Sequence, residues 1–334
     1  MKCKQIVLAS RPHGLPSSEN FRFEDRETVN LNDNEVLLQT WYISVDPYMR
    51  GRMNDVKSYA AFFQLGEPIS GGVVAKVIES RSNSFVIGDT VFGMLPWATY
   101  CVEKAEKLRK VDITSVPPEY YLGILGMPGI TAYFGMTEIG KPKATETVVV
   151  SGAAGAVGIV AGQIAKIMGS NVVGIAGSDE KCKLLKEQFG FDEAINYKTA
   201  KSMTNAIATA CPKGVDVYFD NVGGDITDSV IANLNFHSRI VLCGQISLYN
   251  STQVPTGPRV FPQLLIKSTL VQGFIVSNYS DRFGEAFADL TQWINEGKLK
   301  YTHTTIHGFN KLPDAFIALF SGENLGKMLV ETGL

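Results

Sequence analysis

Residues 148–166 read VVVSGAAGAVGIVAGQIAK. Three valines lead into Gly152, Gly155 and Gly158, and beyond them Val157, Val160, Ala161, Ile164, Ala165 and Met168 recur at spacings of three and four. The valines predict a buried strand, the spaced residues a helix with one apolar face, and the glycines the turn between them. Small residues in such a turn let the backbone approach a pyrophosphate, while the helix start offers N–H donors and a favourable dipole. A glycine-rich turn can equally serve only to pack a helix on a strand, so its context decides. Five more apolar runs follow: NVVGIAG (171–177), EAINY (193–197), VDVYFDNVG (215–223), RIVLCG (239–244) and TLVQGFIV (269–276). Helical patterns lie between most of them, which predicts a parallel, doubly wound sheet. In that setting Gly155, Ala156, Val157 and Gly158 are candidate dinucleotide contacts. The run 269–276 falls at the edge of the sheet, where a second copy can pair.

The end of the second strand bears on which dinucleotide binds. An NAD site usually carries an acid there, roughly 20 residues past the loop, for the ribose 2′-OH. This chain has Gly177 and Ser178 at that place and Lys181 one turn on. A 2′-phosphate meets no repulsion from those residues, and the lysine supplies a positive partner, so the expected cofactor is NADP. Lys181 can also be read as a solvated helix residue.

The chain has 334 residues, too many for one ordinary core, and two domains are expected. Hydrophobic residues make up 45% and charged residues 19%, which argues against a disordered or fibrous protein. Lys and Arg number 31 against 33 Asp and Glu, a net charge of −2 with both signs scattered. That balance gives no electrostatic pull toward nucleic acid or an anionic membrane. No apolar run is long enough to span a bilayer, and MKCKQIVLASRPHG (1–14) is broken too soon for a signal peptide. Cys3, Cys101, Cys182, Cys211 and Cys243 are isolated and odd in number, which suits reduced thiols and a cytoplasmic protein. His303 and His307 sit in a strand-like segment without an acidic or thiol partner, so no metal site is expected.

Ahead of the wound sheet the texture is different. EVLLQTWYISV (35–45), GGVVAKVIES (71–80), DTVFGML (89–95) and ATYCVEK (98–104) are short segments separated by Gly and Pro, the pattern of a small β domain. After an amphipathic stripe in 283–294, the chain closes with a strand (304–309), a short helix (312–320) and a last strand in KMLVETG. These pieces are expected to return to the first domain. The boundaries drawn are 1–126, 127–301 and 302–334.

Eight segments together resemble the zinc-independent medium-chain dehydrogenase/reductases, specifically the group of prostaglandin, alkenal double-bond and curcumin reductases. They are SVDPYMRGRM (44–53), MPGITAYFGM (127–136), AAGAVGIVAGQIAK (153–166), AGSDEKC (176–182), INYKT (195–199), YFDNVGG (218–224), CGQISLYN (243–250) and NLGKMLV (324–330). The resemblance implies a GroES-like β domain built from both chain ends, with a Rossmann domain inserted between. It implies Lys181 and Tyr197 at the 2′-phosphate, Asn221 near the nicotinamide ribose and pyrophosphate, Phe274 and Val276 beside the nicotinamide, and Asn324 and Gly326 at the cofactor, with Ser178 and Cys243 as further candidate cofactor contacts. Tyr48 would line the substrate cleft, with Asp46 and Arg50 holding its turn. Where zinc-dependent relatives carry an early catalytic cysteine, this chain has SVDPYM, and their four-cysteine lobe is missing, which implies a metal-free reaction. Hydrogen-bond donors must then steady the charge on a carbonyl oxygen, and Tyr249, just past a strand end, is the candidate. The implied activity is NADPH-dependent reduction of the C=C bond of α,β-unsaturated aldehydes or ketones, by a homodimer joined along the Rossmann edge strand. A quinone oxidoreductase and a non-catalytic NADPH-binding protein stay open as alternatives.

Overall fold

The computed structural model describes residues 1–333, in two compact units. One comprises Met1–Gly123 and the chain from His303 on; the other is Ile124–Thr302.

Along the first unit run strands β1 (Lys2–Leu8), β2 (Phe21–Glu27), β3 (Glu35–Ser44), β4 (Ser70–Ser80), β5 (Thr90–Pro96), β6 (Tyr100–Lys104) and β7 (Arg109–Lys110), with the short helix α1 (Tyr48–Arg52) after β3. The second unit contributes helix α2 (Met127–Phe134) and strands β8 (Thr147–Ser151), β9 (Asn171–Ala176), β10 (Glu193–Asn196), β11 (Val215–Asp220), β12 (Leu234–Leu242) and β13 (Leu270–Gly273). Helices α3 (Ala156–Ile167), α4 (Asp179–Phe189), α5 (Met203–Ala210), α6 (Gly224–Ile231) and α7 (Phe261–Ile266) connect these strands in turn, and α8 (Phe283–Asn295) follows β13. The chain then re-enters the first unit with β14 (His303–His307), α9 (Leu312–Ala318) and β15 (Lys327–Glu331).

In the first unit the main sheet runs β14-β15-β3-β4-β5-β7, with β6 also paired to β3. All its pairings are antiparallel except β14 with β15. Its core gathers around fully buried Trp97, whose ring lies 6.2 Å from Phe21 and 6.3 Å from Phe316. The β1–β2 hairpin was not anticipated from sequence, because Lys2, Lys4 and Gln5 crowd the start of its first strand. Yet Ile6, Val7 and Leu8 are wholly buried.

One buried ion pair ties β15 to the turn that launches α1. Lys327, 1% exposed, donates to Asp46 Oδ1 at 2.9 Å and to the Val45 carbonyl at 2.6 Å, while Ser44 Oγ donates to the other Asp46 oxygen. Charges removed from water this completely need such partners, since breaking a buried pair costs about 3–5 kcal/mol. Arg50 fixes the other side of the turn through the Gly14 and Pro12 carbonyls and Asn54 Oδ1.

The second unit holds a parallel sheet in the order β10-β9-β8-β11-β12-β13. Its central strand β8 is buried at every residue, which is why it reads as an unbroken apolar run. Strand order reverses between β8 and β11, and their carboxyl ends open the crevice where wound sheets bind ligands. At the far edge, β13 leaves all four of its residues exposed.

Candidate active site

Gly152 leaves β8 in a left-handed conformation, with φ of 57°. Gly155 caps α3, and the first intrahelical bond runs from Ile159 N–H to the Gly155 carbonyl at 3.1 Å. The N–H groups of Ala156, Val157 and Gly158 thus precede the helical ladder and belong to the donor-rich first turn. Gly158 packs on the turn itself: a Cβ there would overlap the Gly152 carbonyl and lie 2.7 Å from Ala153 Cα. The helix therefore sits so close to the turn that only glycine fits at 158.

A second cluster forms where β9 and β10 end. Ser178 caps α4, its Oγ accepting the Lys181 N–H at 3.2 Å. A Cβ on Gly177 would stand 3.1 Å from the Tyr197 ring and 3.4 Å from Lys198 Cε, so Tyr197 and Lys198 fold over this glycine. The Lys181 ammonium is held below its ordinary pKa, first by burial and then by the charge of Lys198. Lys181 and Lys198 thus bring two positive charges near each other at the ends of β9 and β10. The nearby Asp179 carboxylate receives the Asn196 side-chain amide at 2.7 Å. Lys198 was not singled out from sequence; only the return of the chain after β10 brings it to Gly177.

Across the crevice, Asn221 follows β11 and donates from Nδ2 to the Ser151 carbonyl at 2.8 Å, spanning the two switch-point strands. Next to it Asp220 is fully buried, another residue the sequence reading passed over. Its carbonyl accepts the N–H groups of Cys243 and Gly244 at 2.9 and 3.0 Å, which draws in the turn after β12. Burial and the Asp220 charge push the Cys243 thiol up to about 12, so it stays protonated at neutral pH.

That turn carries Tyr249, half-buried, whose hydroxyl oxygen accepts the Gln245 N–H at 3.2 Å. Among the described residues its own O–H meets no acceptor. Burial raises its pKa above the usual tyrosine value, against the opposing effect of the Gln245 N–H. A neutral phenol in this turn is a hydrogen-bond donor. Phe274 and Val276 follow the edge strand. The Phe274 ring is buried, its tip 3.0 Å from where a Cβ on Gly135 would be, so what it offers outward is backbone.

The remaining candidates belong to the first unit. Tyr48 opens α1 and is half-buried; burial, then the Asp46 charge, raises its pKa. Asn324 donates to the Gly326 carbonyl at 2.7 Å, and Gly326 has φ of 64°. Among the described residues no three His, Cys, Asp or Glu side chains are grouped to hold a metal ion.

Comparison with known proteins adds a family to this geometry. Residues 4–111 match a family described as the N-terminal domain of oxidoreductase, and residues 156–295 match one described as zinc-binding dehydrogenase. YfmJ of Bacillus subtilis (strain 168) is 54% identical over 330 residues, covering 98% of this chain and 97% of that one. The chain belongs to the zinc-independent medium-chain dehydrogenase/reductases. The zinc in the second family description has no set of ligands among the described residues. Within the family, the chain is similar to the NADP(+)-dependent 2-alkenal reductase of Nicotiana tabacum, at 42% identity over 98% of this chain and 96% of that one. The structure of CurA from Vibrio vulnificus in complex with NADPH superposes with a TM-score of 0.94 at 44% identity, covering 99% of both chains.

Proposed function

We propose that this chain is an NADPH-dependent reductase of the C=C bond in α,β-unsaturated aldehydes and ketones. The observation that carries the reading is a neutral Tyr249 donor in the turn after β12 of a wound sheet, with Lys181 in the helix after β9 and Lys198 in the loop after β10. Support comes from a relative named for alkenal reduction and a similar structure holding NADPH.

The residues present fit NADPH. The first turn of α3, with Gly155, Ala156, Val157 and Gly158, suits its pyrophosphate. Ser178, Lys181, Tyr197 and Lys198 suit the 2′-phosphate, and no carboxylate stands at 177 or 178 to repel it. Asn221, Cys243 and the backbone of Phe274 and Val276 would hold the cofactor toward its nicotinamide end. Asn324 and Gly326 as cofactor contacts, and Tyr48 as a substrate contact, rest on the family motifs alone. Bound NADPH supplies a hydride, which a conjugated substrate takes at its β-carbon. The charge that then appears on the carbonyl oxygen is met by the Tyr249 O–H, and solvent protonates the α-carbon.

The test is NADPH oxidation with a panel of enals, enones and quinones, with product analysis. Saturated aldehydes and ketones are the expected products. Allylic alcohols would indicate a carbonyl reductase, a preference for quinones a quinone oxidoreductase, and NADPH binding without any turnover a non-catalytic protein; each of these outcomes rejects the proposal.

For assembly we infer a homodimer in which β13 pairs with β13 of a second copy. Leu270 and Val271 on this edge are 52% and 39% exposed, and on neighbouring α7 Phe261, Leu265 and Ile266 are 79%, 78% and 64% exposed. An apolar, unpaired edge of this kind calls for a partner. Sedimentation should show a dimer that Val271→Lys converts to monomer; a monomeric wild type would end the idea. Among the described residues no helix is long and apolar enough to cross a membrane. Free cysteines throughout suit a reducing compartment, and we place the chain in the cytoplasm, which cell fractionation checks.

A further inference from the structure

Asp220 accepts six hydrogen bonds on its carboxylate among the described residues. Oδ1 takes Ser151 Oγ at 3.1 Å, the Tyr218 hydroxyl at 2.9 Å, and the Val222 and Gly223 N–H groups at 2.9 Å each. Oδ2 takes Thr227 Oγ1 at 2.7 Å and Gln245 Nε2 at 2.8 Å. A buried carboxylate so fully engaged is held rigidly, because its donors come from β8, from β11 and the loop after it, from α6 and from the turn after β12.

Among these donors Gln245 is the one whose main chain contacts the Tyr249 hydroxyl. While its side chain is gripped by Asp220, its own main-chain N–H donates to the Tyr249 hydroxyl at 3.2 Å. The turn behind it is pinned as well: Ile246 N–H donates to the Asn221 carbonyl at 3.3 Å and Ser247 Oγ to the Val222 carbonyl at 2.6 Å. Space for the Gln245 side chain is kept by Gly223, where a Cβ would lie 2.7 Å from the Gln245 Cδ.

We infer that Asp220 and Gln245 are positioning residues: the carboxylate fixes the glutamine side chain, and the glutamine main chain fixes the Tyr249 hydroxyl. The inference rests on Tyr249 being the donor proposed above. The same carboxylate also takes Ser151, the residue before Gly152, so the glycine turn and the tyrosine turn share one anchor.

A pair of variants separates positioning from mere stability. Gln245→Met keeps the length of the side chain and removes the donor to Oδ2. Thr227→Val removes the other donor to the same oxygen without touching the tyrosine turn. Both should lower the melting temperature. Misplacing the donor in Gln245→Met should lower kcat about 10- to 100-fold, with KM for the enal and NADPH affinity near wild type. Thr227→Val should keep wild-type kcat. A Gln245→Met enzyme with wild-type kcat, or two variants that lose kcat together, would overturn the inference. Crystal structures of the variants read the ring position directly. A Tyr249 hydroxyl still seated on the residue-245 N–H in Gln245→Met overturns the positioning role whether or not enals are reduced. Wild-type protein inert toward every enal rejects the function instead.

Discussion

Tyr249→Phe should slow enal reduction by roughly 100- to 1,000-fold, the loss expected when one donor to a developing oxyanion is removed. The ring is kept, so NADPH affinity should change little. The phenol suits the task because burial holds it protonated, and its oxygen already receives the Gln245 N–H, which leaves the proton to point at a substrate. A conjugated carbonyl can take hydride at carbon and pass the charge to oxygen, where that proton waits. With deuterium at the transferred position of NADPH, the label should therefore appear on the β-carbon, and the α-hydrogen should come from solvent. Label on the carbonyl carbon, or full activity in the variant, would remove Tyr249 from the chemistry.

Lys181→Ala should weaken NADPH by about 1.5–3 kcal/mol, the range for a hydrogen bond to a charged group. That corresponds to roughly 10- to 100-fold in Kd. NADH, which lacks the 2′-phosphate, should bind the variant as it binds the wild type. Lys198 stands close enough to lower the Lys181 pKa, so it should carry part of the remaining affinity. Removing both ammonium groups should bring the NADPH affinity down to that for NADH. Equal losses for the two cofactors in Lys181→Ala would make the lysine a structural residue and leave the cofactor preference unexplained.

The wound sheet was legible because its inner strands β8, β9 and β11 are almost wholly buried and appear as apolar runs, with β8 the plainest case. The glycine turn was legible for a related reason, since a close approach at Gly158 excludes every side chain. Other features depend on tertiary neighbours that spacing does not reveal. Strand β1 begins with alternating charge and hides its buried end. Lys198 acquires meaning only beside Gly177, which follows a different strand, β9. Asp220 closes an apolar strand, where an acid looks like a turn residue, yet it is wholly buried and fully bonded. Lys327 sits among buried residues for the sake of one carboxylate far back in the chain.

That last pair has a consequence for how the protein is made. A ribosome that has released residue 302 has delivered the whole second unit as one continuous stretch. It has not yet delivered β14, β15 or the Lys327 ammonium, so the end of β3 at Tyr42–Ser44 lacks its β15 partner and Asp46 stays without its counter-ion. The wound sheet should therefore mature first, while the earlier-synthesised β domain waits for the tail of the chain. A chain ending at residue 302 and released from the ribosome, when pulsed with protease, should be cut within residues 1–123 and spared across 124–302. Equal protection of both stretches would show that the first unit closes without its last strand.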